Sequence, residues 1–449
     1  MSGYIPISTE RRQEMLAKVG VDLDRLFDSI PQELRSKLHE QELKNLPENG
    51  WSEQAIAKHI QSLAELNCDL SHYDCYLGAG IYDHYRPSAI SALIQRQEYL
   101  TSYTPYQAEI SQGTLQAIFE WQTYICRLTG MDIANSSMYD GASAAAEALL
   151  MACRQTGRHK VWVSGGVNPE TRETIATYFY AGGLEVEFGD LNTDLTSEDT
   201  YPDAVEEYAG LLVQSPNYYG VVEDLTAFAE YAHTGKSLAV VSTDPISLAI
   251  LRDPGSCNCD IVCGEAQPLG IATNFGGPAV GYLAATKKLL RKMPGRICGE
   301  TVDRDGNRAY VLTIQAREQH IRREKATSNI CTSQALLATA ATIYMALLGR
   351  SGITEVAENS QHKALYLQRA LISTGLFKAV SDRPFFREFT LMSDCLDLHA
   401  LNRYLLEQKI IGGVIEGDKY ILAVTEQKDK QALDRLVHAV QDFAERMES

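Results

Sequence analysis

The segment from Cys257 to Gly299, CNCDIVCGEAQPLGIATNFGGPAVGYLAATKKLLRKMPGRICG, is laid out to carry a cofactor-binding lysine, but Gln267 stands where that lysine would be expected. An apolar strand at 261–263 enters a polar turn, then comes the Gly276-Gly277-Pro278 triplet, then a second apolar strand at 280–285. Enzymes that hold pyridoxal phosphate (PLP) as a Schiff base put their lysine in such a turn. The strand end positions the amine, and burial keeps it neutral and nucleophilic. A glutamine amide forms no imine. The chain is therefore either no PLP enzyme or half of one, with the lysine on a partner.

Other tracts offer the remaining contacts such a cofactor needs. In MYDGASAAAEALLMACR a strand is expected to lead into Asp140-Gly141, and the first turn of the following helix presents Ser143 and free backbone N–H groups. That is an anion site suited to a cofactor phosphate, although a capped helix after a tight turn explains the same residues. The absence of GxGxxG after a strand weakens a dinucleotide reading. Asp244 follows the apolar run SLAVVST and is a candidate partner for a protonated pyridine nitrogen; the alternative is an N-cap before Pro245. The turn Gln214-Ser215-Pro216-Asn217 resembles the Pro-Asn turn of large-domain PLP enzymes. The tract TSYTPYQAEISQG (101–113) concentrates Tyr103, Tyr106, Glu109, Ser111 and Gln112. Tyr103 and Glu109 are candidates for moving protons, and an interface loop is the competing reading. The clearest basic cluster joins Arg296 and Arg317 to HIRREKATSNICT (320–332), with His320, Arg322, Arg323 and Lys325; charge runs of this kind are more often a solvated helix face. Lys287, Lys288, Arg291 and Lys292 alternate with Leu289 and Leu290 as on an exposed helix, a poor place for a Schiff-base lysine. Cys257, Cys259 and Cys263 are spaced too irregularly for a zinc ribbon, so no metal centre is expected.

These residues need a scaffold, and the chain supplies an α/β one. Candidate strands at 160–164, 184–188, 211–214, 238–242 and 261–263 alternate with helices at 142–155, 171–181, 225–233 and 246–252. Short apolar strands joined by helical crossovers predict a mainly parallel sheet covered on both faces, with sites at the carboxyl ends of its strands. The 449 residues exceed one compact core. We divide them into an N-terminal helical arm (1–100), a large α/β domain (101–349) and a small α+β domain (350–449) reading helix, strand, helix, strand, helix. A helix capped by Ser111 and stopped by Gly130 opens the large domain, and Gly349 ends its last helix. Forty-one basic against 58 acidic residues leave a net charge of −17, which argues against nucleic acid or an anionic membrane as the partner. Ten cysteines without paired spacing, no secretory leader and no run of about 18 apolar residues lead us to expect a cytoplasmic protein.

Taken together, YTPYQAEISQG, MYDGASAAAEA, NFGGPAVGYLA, MPGRICGETVD and REQHIRREKATSNICT resemble the glycine decarboxylase P-protein family of the glycine cleavage system, in particular the first (α) subunit of its two-chain form. The resemblance covers nearly the whole chain. It implies a PLP-dependent transferase type I fold, an α2β2 assembly, and PLP held covalently on the β subunit, whose similar segment has its lysine at the place of Gln267. It also implies decarboxylation of glycine, with the aminomethyl group passing to the lipoyl arm of an H-protein. On this reading Asp140, Ser143 and Asp244 are candidate cofactor contacts or their remnants, and Tyr106, Ser111, Gln112, His320, Arg322, Arg323 and Lys325 are candidates for lining a lipoyl channel. Two rivals remain: a non-catalytic scaffold completing the β chain, and a self-sufficient PLP aminotransferase or decarboxylase using Lys236 or Lys325.

Overall fold

A computed structural model describes residues 7–35, 50–190, 201–274 and 276–448; Phe275 of the NFGGPAVGYLA motif lies outside them. The chain divides into two units, Met1–Asp69 and Leu70–Ser449. The arm expected over residues 1–100 therefore ends about thirty residues early. Residues 70–100 belong to the second unit, where Tyr76 and Ile90 are fully buried in two different cores.

Within the first unit, helix Thr9–Val19 is capped by the Ser8 hydroxyl on the Arg11 N–H and stopped by left-handed Gly20. Helix Glu53–Ala64 is capped by Ser52 on Ala55. Neither helix buries a residue: Met15, Val19, Ile56, Ile60 and Leu63 are all exposed.

In the second unit the central sheet has seven strands in the order Ile133–Ala134, Gly281–Ala285, Ile261–Glu265, Leu238–Thr243, Tyr208–Ser215, Lys160–Val163, Glu185–Phe188. Only Gly281–Ala285 runs against the others. The period of two along each strand assigns alternate residues to opposite cores. Leu211, Val213, Val241 and Val262 face one, and Leu212, Val240, Ile261 and Cys263 the other. Helix Gln112–Thr129 covers the first face with Trp121 and Ile125. Helix Gly141–Thr156 lies on the second, and its Ala144, Ala145, Ala146 and Ala148 are small enough for backbone and sheet to approach closely.

The helical run Ala335–Ser373 is broken at Gly349, whose φ of 58° and ψ of −172° are not helical. It is the one helix among the described residues long and apolar enough to cross a membrane, and part of its apolar surface, including Ala341, Met345 and Leu367, is buried in the cores, while Leu347 is exposed. Beyond it a four-stranded antiparallel sheet, ordered Lys378–Ala379, Glu388–Met392, Lys419–Ala423, Val414–Glu416, packs with helices Leu398–Glu407 and Lys430–Glu448 around Phe389, Leu401, Tyr420 and Leu436.

Four local expectations are corrected. The Ser111 side chain makes no cap bond, because its φ of −122° and ψ of 21° turn it away from the cap geometry. Residues 246–252 form only the short 3-10 turn Ser247–Ala249, since Asp244 hydrogen bonds to the Ile246 N–H and tightens the chain there. Lys287–Lys292 is likewise a 3-10 turn, with Leu289 buried beneath it. In MYDG the strand shrinks to a single bridge between Met138 and Gly281. The antiparallel pair Ile297–Val302 and Arg308–Thr313 was not expected.

Candidate functional site

At the carboxyl ends of the parallel strands lies a cleft of about 270 Å³, bordered by Tyr82, Asp140, Gly141, Asp244, Glu265 and Arg387 among others. Two of the sequence candidates, Asp140 and Asp244, therefore meet here. Asp140 N-caps helix Gly141–Thr156 through Oδ1 on the Ser143 N–H (2.7 Å), with the Ser143 hydroxyl answering the Asp140 N–H (3.3 Å). Such a box satisfies two of the helix's free donors.

Asp244 is engaged elsewhere. Its Oδ2 lies 2.5 Å from Nη2 of Arg387, which is 99% buried, and its Oδ1 accepts from the Ile246 N–H at 3.0 Å. The guanidinium stacks 3.5 Å from the centre of the Tyr82 ring and donates through Nη1 to His84 Nε2. An arginine only donates, so His84 accepts there and carries its proton on Nδ1, which donates to Glu426 Oε2 at 2.5 Å. The neighbouring Glu388 accepts from the Ala79 N–H (2.6 Å) and the Tyr82 hydroxyl (2.8 Å). Burial pushes the Glu388 carboxyl up to about 7, against the pull of those two donors and Arg387.

Gln267, which borders Tyr82 from behind, is 96% buried and fully bonded. Its Nε2 donates to the Tyr82 and Ile271 carbonyls (3.0 and 2.8 Å), and its Oε1 accepts from the Tyr82 N–H (3.0 Å). Two positions earlier, Glu265 collects three backbone N–H groups: Gly141 on Oε2 at 2.9 Å, Gln267 and Val280 on Oε1 at 3.0 and 3.1 Å. Burial raises its pKa to about 7 despite them.

The other candidates lie apart from this cleft. Tyr103 is 83% exposed, and Glu109 is exposed. The Tyr106 hydroxyl accepts from Arg296 at 2.9 Å, and its ring meets His320 edge-on at 5.9 Å. Glu318 faces both Arg296 (3.5 Å) and His320 (3.7 Å), so two of the predicted tracts do come together. Gln112 is structural, exchanging hydrogen bonds with the Tyr310 backbone at 2.9 Å. Arg322, Arg323 and Lys325 are exposed, and Arg322 Nε donates to the Ala316 carbonyl. Lys236 precedes strand Leu238–Thr243 and so sits at the opposite end of the sheet from the cleft; it too is exposed. Sequence reasoning missed Tyr82, His84, Glu265, Arg387, Glu388 and Glu426. The adjacent charges inside the apolar run RPFFREFTLM were the available signal for Arg387 and Glu388.

A fold that binds PLP covalently needs an amine, a free anion cradle and a carboxylate open to the ring nitrogen. Here the amine is a bonded amide, the cradle holds Glu265, and Asp244 is paired with Arg387. The residues present do not fit a covalently held PLP in this chain.

Residues 2–440 match the family model for the glycine cleavage system P-protein. The chain is 47% identical over 445 residues to a Desulforamulus reducens protein described as probable glycine dehydrogenase (decarboxylating) subunit 1, covering 96% of this chain and 98% of that one. It is 45% identical to a Halalkalibacterium halodurans protein of the same description, over 98% and 99% of the two chains. A crystal structure of glycine decarboxylase (P-protein) of the glycine cleavage system, in inhibitor-bound form, superposes with a TM-score of 0.88 at 40% identity over 98% of this chain and all of that one. A Burkholderia pseudomallei sphingosine-1-phosphate lyase shares the fold at 14% identity and a TM-score of 0.67, over 90% and 93% of the two chains. The architecture is that of PLP-dependent enzymes of fold type I.

Proposed function

Since the chain belongs to the glycine cleavage system P-protein family, we propose that it is the subunit of a two-chain glycine decarboxylase that does not form the Schiff base. The assembled enzyme releases the carboxyl group of glycine as CO2 and passes the aminomethyl group to the lipoyl arm of an H-protein. The name subunit 1, borne by relatives at 45–47% identity, implies a second subunit. On our reading that subunit holds PLP through its lysine, and two copies of each chain assemble in the cytoplasm.

The observation that carries this reading is Gln267. The turn that would offer an amine offers an amide whose three hydrogen bonds fix it behind Tyr82. What this chain brings to the assembly is surface and support. Its exposed Tyr103, Tyr106 and Glu109, and the Arg296–Glu318–His320 group behind Tyr106, are groups able to orient a polar substrate or hold a proton at a subunit boundary.

Three measurements test the proposal. Exchange of labelled CO2 with glycine should require both chains, and equimolar chains should co-elute in size-exclusion chromatography. Borohydride reduction of the assembled enzyme followed by peptide mapping should label a lysine of the second chain alone. A labelled lysine peptide from this chain, or exchange activity without the second chain, would overturn it.

A further inference from the structure

Glu265 has a carboxylate in a place built for an anion. Helix Gly141–Thr156 ends on it: the Gly141 N–H, the first donor of the helix, points at Oε2, while two strand-end donors, from Gln267 and Val280, converge on Oε1. The approach is close because Gly141 has no side chain. A Cβ there would lie 2.7 Å from the Glu265 nitrogen and 2.9 Å from its Cβ. The helix field and three convergent donors would serve a phosphate equally well. We propose that Glu265 is a built-in replacement for a bound phosphate group, and that its carboxylate closes this chain's own anion cradle against phosphate-bearing ligands.

The chemistry favours the tethered group. A carboxylate on the chain is present at an effective concentration that a free ligand must exceed, and it pays no cost of association. A phosphate entering the cradle would have to expel the carboxylate from its three donors into a poorly hydrated wall. Asp140, already bonded to the Ser143 N–H, is the other acidic group facing the cradle, and its charge opposes a second anion. The remaining cofactor contacts are closed in the same manner, Asp244 by Arg387 and Gln267 by Tyr82 and Ile271. The ligand class revealed by removing Glu265 is therefore a phosphate group alone, as inorganic phosphate, and not an aldehyde cofactor. The inference concerns this chain by itself and stands or falls independently of whether the assembled enzyme acts on glycine.

The full-length chain and its Glu265→Ala and Glu265→Gln variants are titrated with inorganic phosphate and followed by 31P line broadening and by thermal unfolding. Glu265→Ala should broaden the phosphate signal and gain a melting temperature that rises with phosphate. The wild-type chain, and Glu265→Gln, which keeps the plug's shape, should do neither. Equal broadening by the wild-type chain, or none by a folded Glu265→Ala chain, overturns the proposal. Should Glu265→Ala not fold, the amide proton of Gly141 decides: in the wild-type chain its chemical shift must follow the ionisation of a carboxylate between pH 5 and 9 and lose that dependence in Glu265→Gln. A pH-independent Gly141 amide overturns it as well.

Discussion

Arg387 is the residue whose loss should be felt most strongly. It is 99% buried, pairs with Asp244 at 2.5 Å, donates to His84 and stacks on Tyr82, so Arg387→Met keeps much of the volume while stranding a carboxylate. Removing one member of a buried ion pair costs about 3–5 kcal/mol, most of it the desolvation of the charge left behind. Two features place this case at the lower end. The Asp244 side chain is 14% exposed and retains the Ile246 N–H, and Arg387 Nε has no hydrogen-bond partner among the described residues to lose. We expect about 3 kcal/mol for Arg387→Met. Asp244→Asn should cost about 2 kcal/mol, since the arginine keeps His84 and the Tyr82 ring. If the two act as a pair, the double variant should cost about 2 kcal/mol less than the two single losses added together. Urea unfolding followed by the fluorescence of buried Trp121 and Trp162 reads all three. Additivity within about 0.5 kcal/mol, or a cost below about 1 kcal/mol for Arg387→Met, would refute the reasoning.

Glu388 and Glu265 both have pKa values raised by burial to about 7, from a reference of 4.5. The folded chain therefore binds more protons than the unfolded one between those values, and the stability they lend is full below pH 4.5 and lost as pH rises through 7. At about 1.4 kcal/mol per pH unit this is at most of order 3 kcal/mol for each group; Glu388→Gln should flatten part of the decline in urea midpoints between pH 5 and 8, and an unchanged slope would count against it. Gly141→Ala should destabilise the chain by about 1–3 kcal/mol, because the added methyl meets the Glu265 backbone at 2.7 Å; a wild-type urea midpoint would show that the helix end is free to shift. Tyr103→Phe and Glu109→Gln alter exposed side chains, so melting temperatures should stay within about 1 °C. In the assembled enzyme the same variants should slow exchange about 10-fold to 1000-fold, and unaltered kinetics in both would assign the loop no chemical role.

Local and periodic properties of this chain were legible without its structure. Runs such as LLVQ and LAVV can only be strands buried on both faces, and the helices between them require a mainly parallel sheet. The missing imine lysine follows from one residue in one turn, so Gln267 needed no coordinates. The long helical run was likewise readable, and the break at Gly349 fell where glycine permits φ of 58°. What only tertiary structure decided was how the candidate groups are satisfied. Asp140, Ser143 and Asp244 read as possible contacts for a ligand, and Gln267 only as a missing lysine, because a sequence shows each donor and acceptor without its partner. Folding brings Gln267 to Tyr82 across 185 positions, His84 to Arg387 across 303, and Gly141 to Glu265 across 124. Each pairing converts an available polar group into a bonded one. Such contacts leave no period and no local motif, because they depend on which strand ends the sheet order places side by side. The same is true of residues 70–100, which read as an extension of the arm until Tyr76 and Ile90 are seen to enter two separate cores.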